Sequence, residues 1–151
     1  MEETSVFEKF ELQLDQTAKG FLKEIAKWAY FLSILGFVFI GLMVVIAVFA
    51  GSIFSSMGAM AQMGALGGSF GAIMSAFYIF IAALYFFPVY YLNKFATNAK
   101  RAFKDSDTEA LTTSFGYLKS HYKFIGIMML SVLVLYALIF VFGILGALLG
   151  R

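Results

Sequence analysis

The sequence has no cysteine, one proline, one histidine and one tryptophan. Without cysteine, disulfides and thiolate chemistry are excluded, and nothing marks the redox compartment. A larger absence is charge. From Trp28 to Asn93, 66 residues pass without one Asp, Glu, Lys, Arg or His, and from Phe124 to Gly150 there are 27 more. Charged residues make up 13% of the chain and apolar residues 62%, against about 25% and about 45–50% in soluble domains. A water-soluble core of this size cannot hide that imbalance, because a small domain exposes a large fraction of its surface. Lipid must cover the excess.

What is present divides at those tracts. A spanning helix needs about 20 apolar residues at 1.5 Å each. The first tract therefore holds two spans and a turn, and the second holds one. The expected class is all-α: an integral membrane protein with three transmembrane helices plus cytoplasmic amphipathic helices, forming one membrane domain over 1–151. The spans are placed at 28–54, 70–92 and 124–149. The small-residue stretch 55–69, with four glycines, reads as an outer loop. Pro88 stands near the end of the second span and is expected to kink it.

Residues 1–27 carry ten charges. From Leu14 onward they read as an amphipathic helix, with Leu14, Ala18, Phe21, Leu22 and Ile25 on one side and Asp15, Gln16, Lys19, Lys23 and Lys27 on the other. Residues 14–27 are expected to rest at the cytoplasmic membrane interface or against the 93–123 segment, with Phe21 and Ile25 buried. The opening Met1-Glu2-Glu3 is acidic where a signal peptide would be basic. Residues 93–123 read as a hairpin of two short amphipathic helices. Leu92, Phe95, Ala96, Ala99 and Phe103 trace one face, and Leu111, Phe115, Leu118 and Tyr122 another. Asp105-Ser106-Asp107 breaks the pattern. Ser106-Asp107-Thr108-Glu109 fits a capping box, with Ser106 as the helix cap.

Basic residues set the orientation. Four Lys precede the first span, and six basic residues lie between the second and third: Lys94, Lys100, Arg101, Lys104, Lys119 and Lys123. Only Arg151 falls on the other side. This bias puts the N-terminus inside and the C-terminus outside. Trp28, Tyr90, Tyr91 and Tyr122, with Tyr30 and Tyr117, fall at the same boundary as expected interfacial anchors. The basic cluster Lys94, Lys100, Arg101 and Lys104 is the candidate contact for lipid headgroups; the plainer reading is an ordinary positive-inside loop.

Other features carry less. Met57, Met60 and Met63 recur every three residues and could bind a soft metal, but no other ligand type assists them, and apolar filling is the plainer reading. His121 lacks partner ligands and reads as structural. Gly64/Gly68, Gly67/Gly71 and Gly146/Gly150 have the spacing that lets membrane helices approach. Only Gly143, Gly146 and Gly150 lie in a span, so these are the candidates for helix packing. The pair Leu22-Lys23 and Lys27-Trp28 echoes Leu118-Lys119 and Lys123-Phe124, as two basic, aromatic approaches to a span would in any case.

The spans offer Ser33, Ser75, Ser131, Tyr78 and Tyr136 as polar groups and no ionisable acid or base. A proton-coupled exporter would need a buried acid. Catalysis would need a nucleophile with a base, or a metal set. No catalytic residue, metal site or cofactor is expected, and a net charge of +2 argues for no nucleic acid. The segment Leu22-Lys23-Glu24-Ile25-Ala26-Lys27-Trp28-Ala29-Tyr30-Phe31, with Phe95 to Ala99 and Leu118 to Gly126, resembles small bacterial multi-pass membrane proteins of a domain-of-unknown-function family. The resemblance covers most of the chain and rests on hydropathic motifs. It implies a bacterial inner membrane and transfers no active residue. The expected role is a non-enzymatic accessory, scaffold or interaction subunit whose partners are the lipid bilayer and another membrane protein or a second copy. The alternative is a small homo-oligomeric channel or transporter.

Overall fold

The computed structural model describes residues 15–56 and 65–149. They form three helices: α1, Gln16–Ser56; α2, Ala65–Asp105; and α3, Thr108–Leu149. Among the described residues the fold is all-α, and all three helices are long and apolar enough to cross a membrane. By length and composition this is a multi-pass membrane protein. The helices have 41, 41 and 42 residues, so each is about 60 Å long, twice a hydrocarbon core.

That excess length corrects the expected segmentation. The two short helices expected over 93–123 are not separate from the spans, and residues 16–27, expected to run on into the first span, do so. They are the basic ends of the same rods that form the spans. Position 28 lies inside α1, positions 92 and 93 inside α2, and positions 123 and 124 inside α3. Each marks a change of surroundings without a change of backbone. The expected loop 55–69 also shrinks, since α1 reaches Ser56 and α2 is already helical at Ala65. Met57, Met60 and Met63 lie outside the described residues. Pro88 sits inside α2, where it removes the donor that the Leu84 carbonyl would use.

A seven-residue repeat organises the packing. On α1 the residues turned inward are Leu22, Ala26, Ala29, Ser33, Gly36, Ile40, Met43 and Ala47, separated alternately by four and three. The opposing seam on α2 includes Gly71, Ser75, Tyr78, Ala82, Val89, Ala96, Ala99 and Phe103. This 3.5-residue period is the pattern of left-handed antiparallel helix pairs. Small side chains dominate both seams, as close approach in lipid requires. At Gly36 an added Cβ would stand 2.7 Å from Cγ2 and 2.9 Å from Cγ1 of Val89. Glycine is required there.

Helix α2 is central, with α1 on one side and α3 on the other. The core lies at the basic end, where all three meet: Ala26 and Ala29 of α1, Phe95, Ala96 and Ala99 of α2, with Leu22, Leu92, Tyr117 and Leu118 around them. The expected α1 face is rotated. Leu22, Ala26 and Ala29 turn inward, while Phe21 and Ile25 remain 63% and 51% exposed. The reason is steric, since alanine admits the neighbouring backbone and phenylalanine does not. Helix α3 shows the same offset. Ala110, Ser114, Tyr117, Leu118 and His121 face α2, and Phe115 and Tyr122 do not.

The α2–α3 turn is tight and doubly capped. Ser106 adopts a left-handed φ of 54°, and the Asp107 amide donates to the Ala102 carbonyl at 3.0 Å. These two features close α2 as a Schellman motif with Ser106 in the position usually taken by glycine. Asp107 then caps α3, its Oδ1 accepting from the Ala110 amide at 3.0 Å. The expected Ser106 cap is therefore one residue off. A residue committed to the left-handed end of one helix cannot also cap the next. Asp15 caps α1 in the same manner, Oδ1 accepting from the Ala18 amide at 2.7 Å.

Candidate functional site

Three cross-helix hydrogen bonds fix the heights of the rods. Asn93 Nδ2 donates to Ser33 Oγ at 2.9 Å, and Ser33 Oγ donates to the Tyr30 carbonyl at 2.7 Å. Farther along, Ser75 Oγ donates to the Ala47 carbonyl at 2.7 Å. Between α2 and α3, His121 Nδ1 lies 2.7 Å from the Pro88 carbonyl. A carbonyl can only accept, so the ring proton sits on Nδ1. His121 is a structural donor that joins α3 to α2.

These contacts bring residues 28–33, 88–93 and 121–124 to one level. The expected aromatic anchors gather there. Trp28 meets Phe31 edge-on at 5.9 Å, Tyr90 stacks on Phe86 at 6.0 Å, and Tyr91 meets Tyr90 at 5.9 Å. Tyr122 packs against the His121 ring at 5.4 Å. Trp28 and Tyr122 are exposed and Tyr91 half-buried, the amphipathic placement favoured where hydrocarbon gives way to headgroups.

On the basic side of this belt, α1 and α2 part around a cleft of about 490 Å³. Lys23 and Lys27 line it from α1, Lys100 and Lys104 from α2. Ala26 and Ala96 form its floor, and Tyr30 and Phe103 its walls. Ala26 and Ala96 belong to the packing seams, so the small residues that let the rods approach also leave room above them. Lys23 Nζ stands 5.5 Å from the Phe103 ring centre and Lys100 Nζ 5.9 Å from that of Tyr30, both within cation–π range. No carboxylate lines the cleft.

The expected headgroup cluster is therefore divided. Lys100 and Lys104 belong to the cleft. Lys94 stands over Tyr90 at 5.6 Å from its ring centre. Arg101 turns to the α2–α3 turn, 3.9 Å from Asp105 Oδ2 and 3.7 Å from Asp107 Oδ2. These are the ion pairs among the described residues. Lys23 and Lys27 join the site, which the sequence reading had treated only as the polar side of an N-terminal helix. The signal was available: both lysine pairs are four apart, and each encloses a seam residue, Ala26 on α1 and Phe103 on α2.

Of the glycine candidates, Gly143 and Gly146 meet no packing partner among the described residues. Gly143 and Gly146 are exposed, and a Cβ on either would meet nothing within 4 Å. Gly150 lies outside the described residues. They sit on a stretch of α3, residues 129–149, that is exposed throughout. Phe124, whose ring lies 5.8 Å from Phe87 of α2, and Met128, both before that stretch, are half-buried. The close approach is at Gly36 instead. No group of three or more metal-ligating side chains occurs among the described residues. No family model, no curated protein and no solved structure matches the chain.

Proposed function

We propose that the chain is a non-enzymatic accessory or interaction subunit of a bacterial inner membrane, with its basic end in the cytoplasm. The observation that carries this reading is the division of labour along α3. Its first five turns are bound into the core at the basic end. Its outer stretch, residues 129–149, is exposed throughout. A span held at its base and exposed along its outer half offers a lateral surface for a partner helix. Gly143 and Gly146 lie on that stretch, with space around them for close approach.

The polar groups weigh against a pore. Ser33 and Ser75 face the α1–α2 seam and spend their hydroxyls on the Tyr30 and Ala47 carbonyls. Ser131 donates to the Ile127 carbonyl of its own helix at 2.8 Å. A channel built from several copies would have few hydroxyls left to line it.

The test is purification of the full chain in mild detergent with mass measurement of the complex. A second protein retained at fixed ratio, and lost on Gly146→Ile, supports the reading. That substitution leaves the chain's own packing untouched, because nothing stands near Gly146. A homo-oligomer that conducts ions in liposomes would establish the channel instead, and a chain that purifies alone at every detergent strength overturns both.

A further inference from the structure

We propose that the cleft between α1 and α2 binds the phosphate of an anionic lipid headgroup, with Lys23, Lys27, Lys100 and Lys104 as its ligands. The site stands independently of any partner on α3. Each helix contributes a lysine pair one turn apart, an arrangement that like-charge repulsion disfavours on an isolated helix. Here two such pairs face each other across an alanine floor. Repulsion of this kind is relieved by an anion between them.

Among the described residues, no acid lines this cleft. Asp105 and Asp107 lie against Arg101 on the turn, and Glu24 lines the neighbouring grooves but not this one. Four ammonium groups thus surround the cleft with no carboxylate among its lining residues. Phosphate fits because it offers several acceptor oxygens to point donors such as lysine.

Two features favour a lipid over a free ion. The cleft lies at the aromatic belt, with Tyr30 in its wall, and the belt marks the depth of headgroups. Its alanine floor is apolar, suited to the glycerol end of a lipid and of no use to a hydrated inorganic ion. Basic pockets between membrane helices are a recurrent way of holding such headgroups.

The experiment uses the full chain, so that the glutamates before residue 14 remain present as competitors. The detergent-solubilised protein is titrated with phosphatidylglycerol, phosphatidylethanolamine and inorganic phosphate, and bound species are counted by native mass spectrometry. Phosphatidylglycerol is expected to bind about fivefold more tightly than phosphatidylethanolamine, the gain from roughly one further charge contact. Lys27→Gln with Lys100→Gln should weaken it about thirtyfold, as removal of two such contacts implies. The arginine pair at the same positions should restore binding. Lys119→Gln with Lys123→Gln removes the same net charge outside the cleft and should change affinity less than about twofold. Equal weakening by both glutamine pairs would show diffuse attraction and overturn the site. So would absence of headgroup preference, or full displacement of the lipid by inorganic phosphate at matched concentration. Unchanged far-ultraviolet circular dichroism confirms that the variants compared are folded.

Discussion

Asn93 reaches across from α2 to donate its side-chain amide to Ser33 of α1 at 2.9 Å. Ser33 is fully buried, and the pair is the polar contact nearest the three-helix core. Lipid offers no competing water, yet the unfolded-in-membrane state finds partners of its own, so such bonds average about 0.6 kcal/mol and reach about 1.7. Ser33→Ala should cost an amount in that range and leave one Asn93 proton without its acceptor. Asn93→Leu combined with Ser33→Ala should recover part of the loss. A double-mutant cycle by detergent unfolding measures the coupling, and strict additivity would sink the assignment.

Gly36 faces a stiffer obstacle. Valine is restricted at χ1, so the two methyl groups 2.7 and 2.9 Å from a new Cβ cannot simply rotate away. Gly36→Ala should destabilise the α1–α2 pair by about 1–3 kcal/mol, the usual cost of overpacking. Val89→Ala should suppress most of that cost. Gly41, open on all sides, is the matched control, and Gly41→Ala should be neutral or slightly stabilising.

The turn makes opposite predictions for adjacent residues. Asp107→Ala removes the α3 cap and should cost about 1 kcal/mol. Amide exchange over Thr108–Leu118 should quicken. Ser106→Ala keeps the left-handed backbone and loses no cap, so exchange there should barely change. Ser106→Gly relieves the positive φ and should stabilise the turn by up to about 1 kcal/mol. Exchange that responds to Ser106→Ala and ignores Asp107→Ala would restore the capping box.

His121 should carry its ring proton on Nδ1, because that atom meets the Pro88 carbonyl. Nitrogen chemical shifts of the ring in detergent report the tautomer directly, and a neutral Nε2–H form would contradict the contact.

Orientation is testable with single cysteines in spheroplasts. An impermeant reagent should reach positions 62 and 151 and miss positions 9 and 104. The ten basic residues before and between the spans, against Arg151 alone, set that expectation. Labelling at 104 without labelling at 62 would invert the molecule.

Span count and the α2 face were legible because hydropathy and helical period are local signals. Phe95, Ala96 and Ala99 are buried together, on the face their spacing describes. Rotation was harder to read. Hydrophobicity pointed to Phe21 and Ile25, but lipid removes the advantage of burying large apolar groups, and small residues won the seam. The repeat Ala26, Ala29, Ser33, Gly36 was visible in the sequence and carried more weight than the glycines at 143, 146 and 150. The cap was misplaced because Ser-x-x-Glu is a one-dimensional match. It cannot report that Ser106 is already consumed by the end of α2. The cleft was half legible, since Lys100 and Lys104 stood in the basic cluster. Their union with Lys23 and Lys27 depends on a register set by Ser33 and Asn93, 60 positions apart.

The Gly36–Val89 contact also divides α1 mechanically. Thirteen residues separate it from Lys23 on one side and thirteen from Phe49 on the other, within one unbroken helix. At 1.5 Å per residue each arm is about 20 Å long. The tightest point of the seam thus stands midway along α1, between the lysine arm at the cleft and the far arm tied by the Ser75–Ala47 hydrogen bond.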